Sequence, residues 1–342
     1  MNGEGRLRFS GGLDTVNHVL AEGGVAGWVE ADDSVFRRVA GAVAGCSKLT
    51  LGADAIAGTV CYVKKKAGPT PGFLFLEFGL RSASMKISII TATWNCAGTV
   101  GGCLASVAAQ SHTEREHIMI DGGSTDGTLA VLEAQRAALA VLVSEPDGGI
   151  YDALNKGIAR ATGDVVGLLH ADDLYADKDV LGRIAAAFAD PAVEAVYGDL
   201  VYVAKEDTGR VIRYWRSGAY RPGRLRLGWM PPHPTLYLRR ALYARYGDFD
   251  TRYRIAADYD LMLRVLSRLT GRVVYLPQVL VRMRVGGASN RSLRHILRKS
   301  WEDYRALRAN GMGGASGVGA LVWKNVSKVP QFWQGGQATG QR

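Results

Sequence analysis

Cysteine is scarce in this chain of 342 residues: Cys46, Cys61, Cys96 and Cys103 are the whole set, with no CxxC pair and no histidine cluster at ligand spacing. That excludes a disulfide framework and a structural zinc site, and it fits a protein working in a reducing cytoplasm. The amino-terminal MNGEGRLRFSGG has no apolar stretch after its basic residues, which argues against a secretory leader. The longest run without charge, Ile87 to Thr113, exceeds the roughly 20 residues of a membrane span. It holds Asn95, Gly98, Gly101, Gly102 and several hydroxyl residues, so it reads as strand, loop and helix. No GxGxxG follows a strand; Gly23-Gly24-Val25-Ala26-Gly27 is the nearest approach and leaves a dinucleotide oxidoreductase without support. Nucleic-acid motifs are also lacking, so no nucleic-acid partner is expected.

A hydrophobic content of 47% marks a globular chain of one large α/β domain or two ordinary ones. The net charge of +10 is unevenly spread. Residues 1–84 carry 9 basic and 8 acidic groups, residues 85–200 carry 7 and 16, and residues 201–342 carry 26 and 8, giving balances of +1, −9 and +18. A polyanion-binding surface would involve only the last segment; the alternative is a solvated basic face.

Residues 1–84 are glycine-rich and poorly periodic, with a KKK run at 64–66 and the breaker GPTPG at 68–72. Met85 is a candidate true start, leaving 1–84 as an over-extended reading frame or a weakly structured, disordered extension. From there KISIIT (86–91) reads as a buried parallel strand, and HIMI (117–120), VLV (141–143) and VVGLL (165–169) follow, each leading into a helix near 127–138, 150–161 and 178–189. The alternation predicts an α/β fold: a Rossmann-like, mostly parallel sheet with helices on both faces. Ligands of such sheets sit beyond the carboxyl ends of the strands. Three strands end there in polar residues: Thr91-Ala92-Thr93-Trp94-Asn95, Asp121-Gly122-Gly123-Ser124-Thr125-Asp126-Gly127 and His170-Ala171-Asp172-Asp173. Ser124 and Asp126 would serve equally well as helix caps.

Asp172 and Asp173 put adjacent carboxylates at the sheet edge, hard oxygen ligands suited to Mg²⁺ or Mn²⁺ bridging a diphosphate. The competing reading is one Asp capping the next helix and its neighbour solvated. In Ile255-Ala256-Ala257-Asp258-Tyr259-Asp260, Asp260 pairs in prospect with Arg264 at i,i+4 spacing, whereas Asp258 is either a cap or a general base within reach of an acceptor hydroxyl. His233, held between Pro232 and Pro234, suits a metal or phosphate contact or a structural hydrogen bond.

Taken together, SIITATWN, IDGGSTDGT, GDVVGLLHADD, PPHPTLYLRRALYARYGDFD and IAADYDLMLR, in that order over residues 85–310, resemble the motifs of the inverting family 2 glycosyltransferases of GT-A fold, particularly bacterial enzymes of exopolysaccharide and cell-surface glycan synthesis. The resemblance implies a nucleotide-binding half (85–200), an acceptor half (201–310) and a tail (311–342). It implies Trp94 packed on the nucleotide base between Thr93 and Asn95, Asp121 hydrogen-bonded to that base with Gly122 and Ser124 beside it, and Asn155, Lys156 and His233 near the donor phosphates. Asp172, with Asp173, would hold the metal, and Asp258 would be the base. Two positions depart from the family pattern: His170 stands for the first Asp of DXD, and Leu154 stands where many relatives have Arg. These departures keep a catalytically silent nucleotide-sugar-binding scaffold as the alternative. The implied partners are a nucleotide-diphosphate sugar and a glycan or lipid-linked acceptor, with peripheral contact to an anionic membrane through the basic half and the segment GVGALVWKNVSKVPQFW (317–333), at the cytoplasmic face of the inner membrane.

Overall fold

The computed structural model describes residues 85–286 and 293–313, positions 317 and 319, and, within the first 84 residues, the strand segments 29–30, 49–54, 60–65 and 73–76. The breaker at 68–72 and, apart from Gly317 and Gly319, the interfacial segment 317–333 lie outside the described residues. The chain divides into two compact units, Met1–Ser84 and Met85–Arg342. In the first, β1 (Val29–Glu30), β2 (Leu49–Asp54), β3 (Val60–Lys65) and β4 (Phe73–Leu76) pair antiparallel in that order.

The second unit runs β5 (Ile87–Thr93), α1 (Ala97–Ala108), β6 (Arg115–Asp121), α2 (Thr128–Ala134), β7 (Val141–Ser144), α3 (Ile150–Ile158), β8 (Val165–Leu168), β9 (Leu174–Tyr175), α4 (Val180–Ala187) and β10 (Val193–Val203). It continues through β11 (Val211–Trp215), α5 (Pro222–Leu225), β12 (Tyr237–Arg239), α6 (Ala241–Tyr246), α7 (Ala257–Leu266), β13 (Arg272–Arg284) and α8 (Leu293–Ala309). The sheet order is β7-β6-β5-β8-β12-β10-β13-β9, with β11 beside β10. The expected parallel pairing joins β7, β6, β5 and β8, and β10 with β13. Antiparallel β12 links these two blocks, and β9 and β11 add antiparallel pairings. Among the described residues no helix is long and apolar enough to cross a membrane.

Strand alternation sends side chains to two cores. Ile87 and Ile89 join Val107, Val165, Ile184 and Phe188 on one face. Ile90, Ile118 and Ile120 join α3 (Leu154, Ile158) and α7 (Leu261, Val265) on the other. Leu154, the departure from Arg, is 2% exposed within this second core, so its position is one of packing. Gly167 allows the crossing of β8 by Tyr237, since a Cβ there would lie 2.0 Å from the ring.

At the amino edge of the parallel strands a buried carboxylate ties three of them together. Glu116 accepts hydrogen bonds from Ser88 Oγ (2.6 Å), Thr162 N–H (2.6 Å), Thr162 Oγ1 (2.7 Å) and Gly163 N–H (3.1 Å), and pairs with Lys86 Nζ at 2.7 Å. Burial alone would raise its pKa, but these donors, led by Lys86, bring it down to about 2.

Candidate active site

The carboxyl edge begins with the loops after β5 and β6. Trp94 stands 70% exposed, its ring face open. Asn95 has a left-handed backbone (φ 49°), which asparagine tolerates better than most residues. It clasps the neighbouring loop twice: its N–H donates to Ser124 Oγ (2.8 Å), and its Oδ1 accepts from Thr125 N–H (2.9 Å). Asp126 accepts from Thr128 N–H (3.0 Å) at the start of α2 and from Ala97 N–H (3.1 Å) at the start of α1, so one carboxylate serves two helix ends.

Asp121 is fully buried and accepts five hydrogen bonds. One oxygen takes Thr93 Oγ1 (3.0 Å) and Ser124 Oγ; the other takes Ser144 Oγ (2.7 Å), Ser124 N–H (3.0 Å) and Gly123 N–H (3.2 Å). Burial pushes its pKa up, but the donors outweigh burial and hold it below the usual carboxylate range. These bonds tie Asp121 to Thr93, ahead of Trp94, to the 123–124 turn and to Ser144 at the end of β7. Gly122 leaves room for Asp147, whose Oδ2 would lie 2.6 Å from a Cβ at that position.

The chemistry-bearing side chains of both halves meet in one array. His170, after β8, and His233, before β12, approach through their Nε2 atoms at 2.5 Å. His233 Nδ1 lies 3.3 Å from Asp258 Oδ2, and the single hydroxyl proton of Tyr151 in α3 is shared between the Ile255 carbonyl (2.7 Å) and Asp258 Oδ1 (3.2 Å). Burial lowers the His233 pKa to about 4 against the pull of Asp258, and burial also lowers that of His170, so both rings are neutral at pH 7. A neutral His233 that donates from Nδ1 to Asp258 must accept at Nε2, which assigns the Nε2 proton to His170. Burial and the Asp258 charge push the Tyr151 phenol up, so it remains a donor.

Asp258 lies in the first turn of α7, where no side chain caps the helix. Its side chain is 18% exposed and engages Tyr151 and His233. The free N–H groups ahead of it are met from α8: Glu302 accepts from Ile255 (2.7 Å) and Ala256 (3.1 Å) and is itself held by Arg298 (3.1 Å). Asp260 takes the structural role, with Arg264 at 3.1 Å and Asn310 Nδ2 at 3.0 Å.

Three expected site residues are placed elsewhere. Asn155 spends its amide on the Phe249 backbone, donating to its carbonyl (2.8 Å) and accepting from its N–H (2.9 Å). Lys156 pairs with Glu145 (2.8 Å) and Asp152 (3.4 Å). Asp173 is fully buried, and neither of its oxygens has a hydrogen-bond partner at ordinary geometry. Burial, then the Asp172 charge, raises its pKa well above the carboxylate range. Asp172 is half-buried at that edge, and among the described residues no side chain pairs with its carboxylate; Arg284 of β13 holds its carbonyl at 2.6 Å. A lone, unpaired hard-oxygen donor of this kind fits Mg²⁺ or Mn²⁺, which completes its shell with water and phosphate. No cluster of three or more His, Cys, Asp or Glu able to hold a metal occurs among the described residues. A hollow of about 450 Å³ lined by Val107, Thr113, Glu116, His117 and Gln135 lies at the opposite, amino edge.

The model of the glycosyl transferase family 2 domain matches residues 88–247. A PGL/p-HBAD biosynthesis glycosyltransferase of Mycobacterium bovis is 33% identical over 189 residues, 54% of this chain and 71% of that protein. The chain belongs to glycosyl transferase family 2. This glycosyltransferase has a GT-A-like fold, similar to mannosyltransferase PcManGT from Pyrobaculum calidifontis, solved with GDP-Man and Mn²⁺ (TM-score 0.51, 21% identity, 75% of this chain and 76% of that one). It is also similar to S. aureus TarS 1–349 in complex with UDP-GlcNAc (TM-score 0.52, 21% identity, 66% of this chain), of which it spans 65%. Tyr151, Arg284 and Glu302 are the residues of the glycosyltransferase site that motif reading passes over. Tyr151 stands three residues before Leu154 on α3, whereas nothing local marks the other two.

Proposed function

We propose that the enzyme moves a sugar from a nucleotide-diphosphate donor to a hydroxyl of a glycan or lipid-linked acceptor, with inversion at the anomeric carbon, in the cytoplasmic steps of surface polysaccharide synthesis. The observation that carries this reading is the placement of Asp258: partly exposed, at a helix start, and oriented on both oxygens by Tyr151 and His233. Asp258 accepts the proton of the acceptor hydroxyl as that oxygen attacks the anomeric carbon from the face opposite the leaving diphosphate. Neutral His233 and Tyr151 hold the carboxylate in one orientation. Trp94 offers its open face to the base, and Asp121 fixes the loop that presents it. Asp172 would hold the divalent cation, which supplies positive charge to the departing diphosphate. The nucleotide sugars bound to PcManGT and TarS support the donor class.

The test is a screen of nucleotide-sugar donors with Mg²⁺ or Mn²⁺ against membrane extract, comparing wild type with Asp258→Asn and Asp172→Ala. Asp258→Asn is expected to bind donor and not transfer; Asp172→Ala is expected to lose metal-dependent donor binding. A wild type that binds donors yet transfers to nothing would return the silent-scaffold reading.

A further inference from the structure

Between residues 208 and 247 the chain has no Asp, Glu or Lys and nine arginines: 210, 213, 216, 221, 224, 226, 239, 240 and 245. The structure gathers three of them on one compact loop, with Arg216 directly ahead of it. Residues 217–229 leave β11, form α5 and return to their starting point, the neck closed by Trp229 Nε1–H donating to the Ser217 carbonyl at 2.9 Å. Ser217 is anchored on β10 through Asp199 (2.8 Å) and the Gly198 carbonyl (2.7 Å). Tyr197 grips the Gly218 carbonyl (2.7 Å), and Tyr220 reaches the Leu266 carbonyl of α7 (2.7 Å). The loop is therefore a rigid platform with closely spaced ends.

Its outer surface is basic and apolar. Arg216, Arg221, Arg224 and Arg226 are exposed, and among the described residues no carboxylate pairs with any of them. Arg216 lies over the Tyr214 ring at 5.6 Å and Arg224 over the Trp229 ring at 5.8 Å, which steadies both guanidinium groups. Leu227 is 56% exposed beside them, and Ile212, which alternates onto the same face of β11 as Tyr214, is 36% exposed.

We propose that the 216–227 loop is a docking surface for a bilayer carrying anionic headgroups. Unpaired arginines supply attraction to the phosphate layer, and Leu227 supplies an apolar side chain to sink into its boundary. Single-stranded nucleic acid fits less well, because it needs free aromatic faces for stacking. Here Tyr214, Tyr220 and Trp229 are only partly exposed, and each is hydrogen-bonded within the protein. The chain runs from Trp229 through Met230, Pro231 and Pro232 straight into His233, so a bilayer held by this loop lies close in sequence to the acceptor side of the site.

The test is co-sedimentation of the full chain with vesicles of phosphatidylcholine alone or mixed with phosphatidylglycerol. Retention is expected only on the anionic vesicles and is lost in high salt. The joint substitution Arg216→Gln, Arg221→Gln, Arg224→Gln and Arg226→Gln weakens it by about 100-fold or more, at roughly threefold to fivefold per charge near a surface. Lysine at the same four positions keeps it, and Leu227→Asp weakens it alone, so the outcome does not depend on one variant folding. Thermal unfolding reports on folding in each case. The vesicle readout uses neither donor nor acceptor and stands apart from the transfer reaction. Undiminished binding by a folded glutamine variant, full displacement from vesicles by inorganic diphosphate, or retention on RNA in place of vesicles would each overturn the proposal.

Discussion

The two edges of the same parallel block are built to opposite ends. At the amino edge Glu116 is enclosed by Lys86, Ser88, Thr162 and Gly163, with all but one contact at 2.6–2.7 Å. At the carboxyl edge, among the described residues, Asp258 has only Tyr151 at 3.2 Å and His233 at 3.3 Å and Asp172 has no side-chain partner, while Trp94 is open to solvent. A saturated carboxylate locks strands together, whereas a carboxylate left short of donors keeps capacity for a substrate proton or a cation. Asp121 refines the contrast. It lies at the open edge, yet it accepts five hydrogen bonds.

The sharpest way to break this division is Asp258→Asn. Loss of a positioned general base is worth roughly 10²–10⁴-fold in rate, so transfer should fall by that factor while donor affinity and unfolding temperature stay near wild type. Near-normal transfer would remove Asp258 from the chemistry and with it the claim that the open edge holds a base.

Glu116→Gln probes the opposite edge. Replacing a buried, multiply bonded carboxylate beside Lys86 should destabilise the fold by about 3 kcal/mol in urea titration, with kcat of the folded fraction unchanged. The pH dependence has a definite sign. Because the folded pKa of Glu116 is about 2, below its ordinary value of 4.5, its stabilisation is complete above pH 4.5 and is lost as pH falls toward 2. Burial lowers His117 to about 3, which adds acid sensitivity from an earlier point: below pH 6.5 the unfolded chain takes up a proton that the folded one refuses. Wild type should therefore lose stability in two overlapping steps on acidification, and Glu116→Gln should flatten only the lower one.

Much of the scaffold was legible in the sequence because parallel strands buried on both faces read as short apolar runs: β5, β6, β7 and β8 fall within a few residues of KISIIT, HIMI, VLV and VVGLL. The antiparallel insertion of β12 was not, since three residues of Tyr-Leu-Arg carry no periodic signal. At the site, loop motifs pointed to the right edge but not to each side chain's partner. Asn155 and Lys156 sit on a helix whose face toward Phe249, Glu145 and Asp152 is set by tertiary packing. Asp172 and Asp173 look equivalent in sequence, yet one is half-buried and the other wholly enclosed. Tyr151, Arg284 and Glu302 act across separations of 104, 112 and 47 residues, beyond any local spacing rule.

A smaller effect is expected at Trp94. With its ring 70% exposed there is little packing to lose, so Trp94→Ala should leave stability within about 0.5 kcal/mol of wild type. Base stacking is worth roughly 1–3 kcal/mol, so donor KM should rise about tenfold with kcat nearly constant. A fall in kcat with KM unchanged would mean that Trp94 belongs to the reacting centre rather than to the nucleotide.

The smallest and most discriminating change is Glu302→Gln. Glu302 touches no substrate; it meets the N–H groups of Ile255 and Ala256 just before Asp258, while Tyr151 meets the Ile255 carbonyl from the opposite side. Glutamine keeps one acceptor oxygen and loses the charge that favours a helix start, an effect of about 1 kcal/mol. If the clasp sets the reach of Asp258, kcat should fall about threefold to tenfold with donor KM unmoved, and glutamate alone should restore it. In an Asp258→Asn background the same substitution should cost stability but no further rate, since a positioning residue has nothing left to position. An additional rate loss there would show that Glu302 acts on the fold of α7 at large and not through the base, and the open edge would then depend on α8 for stability as well as for aim.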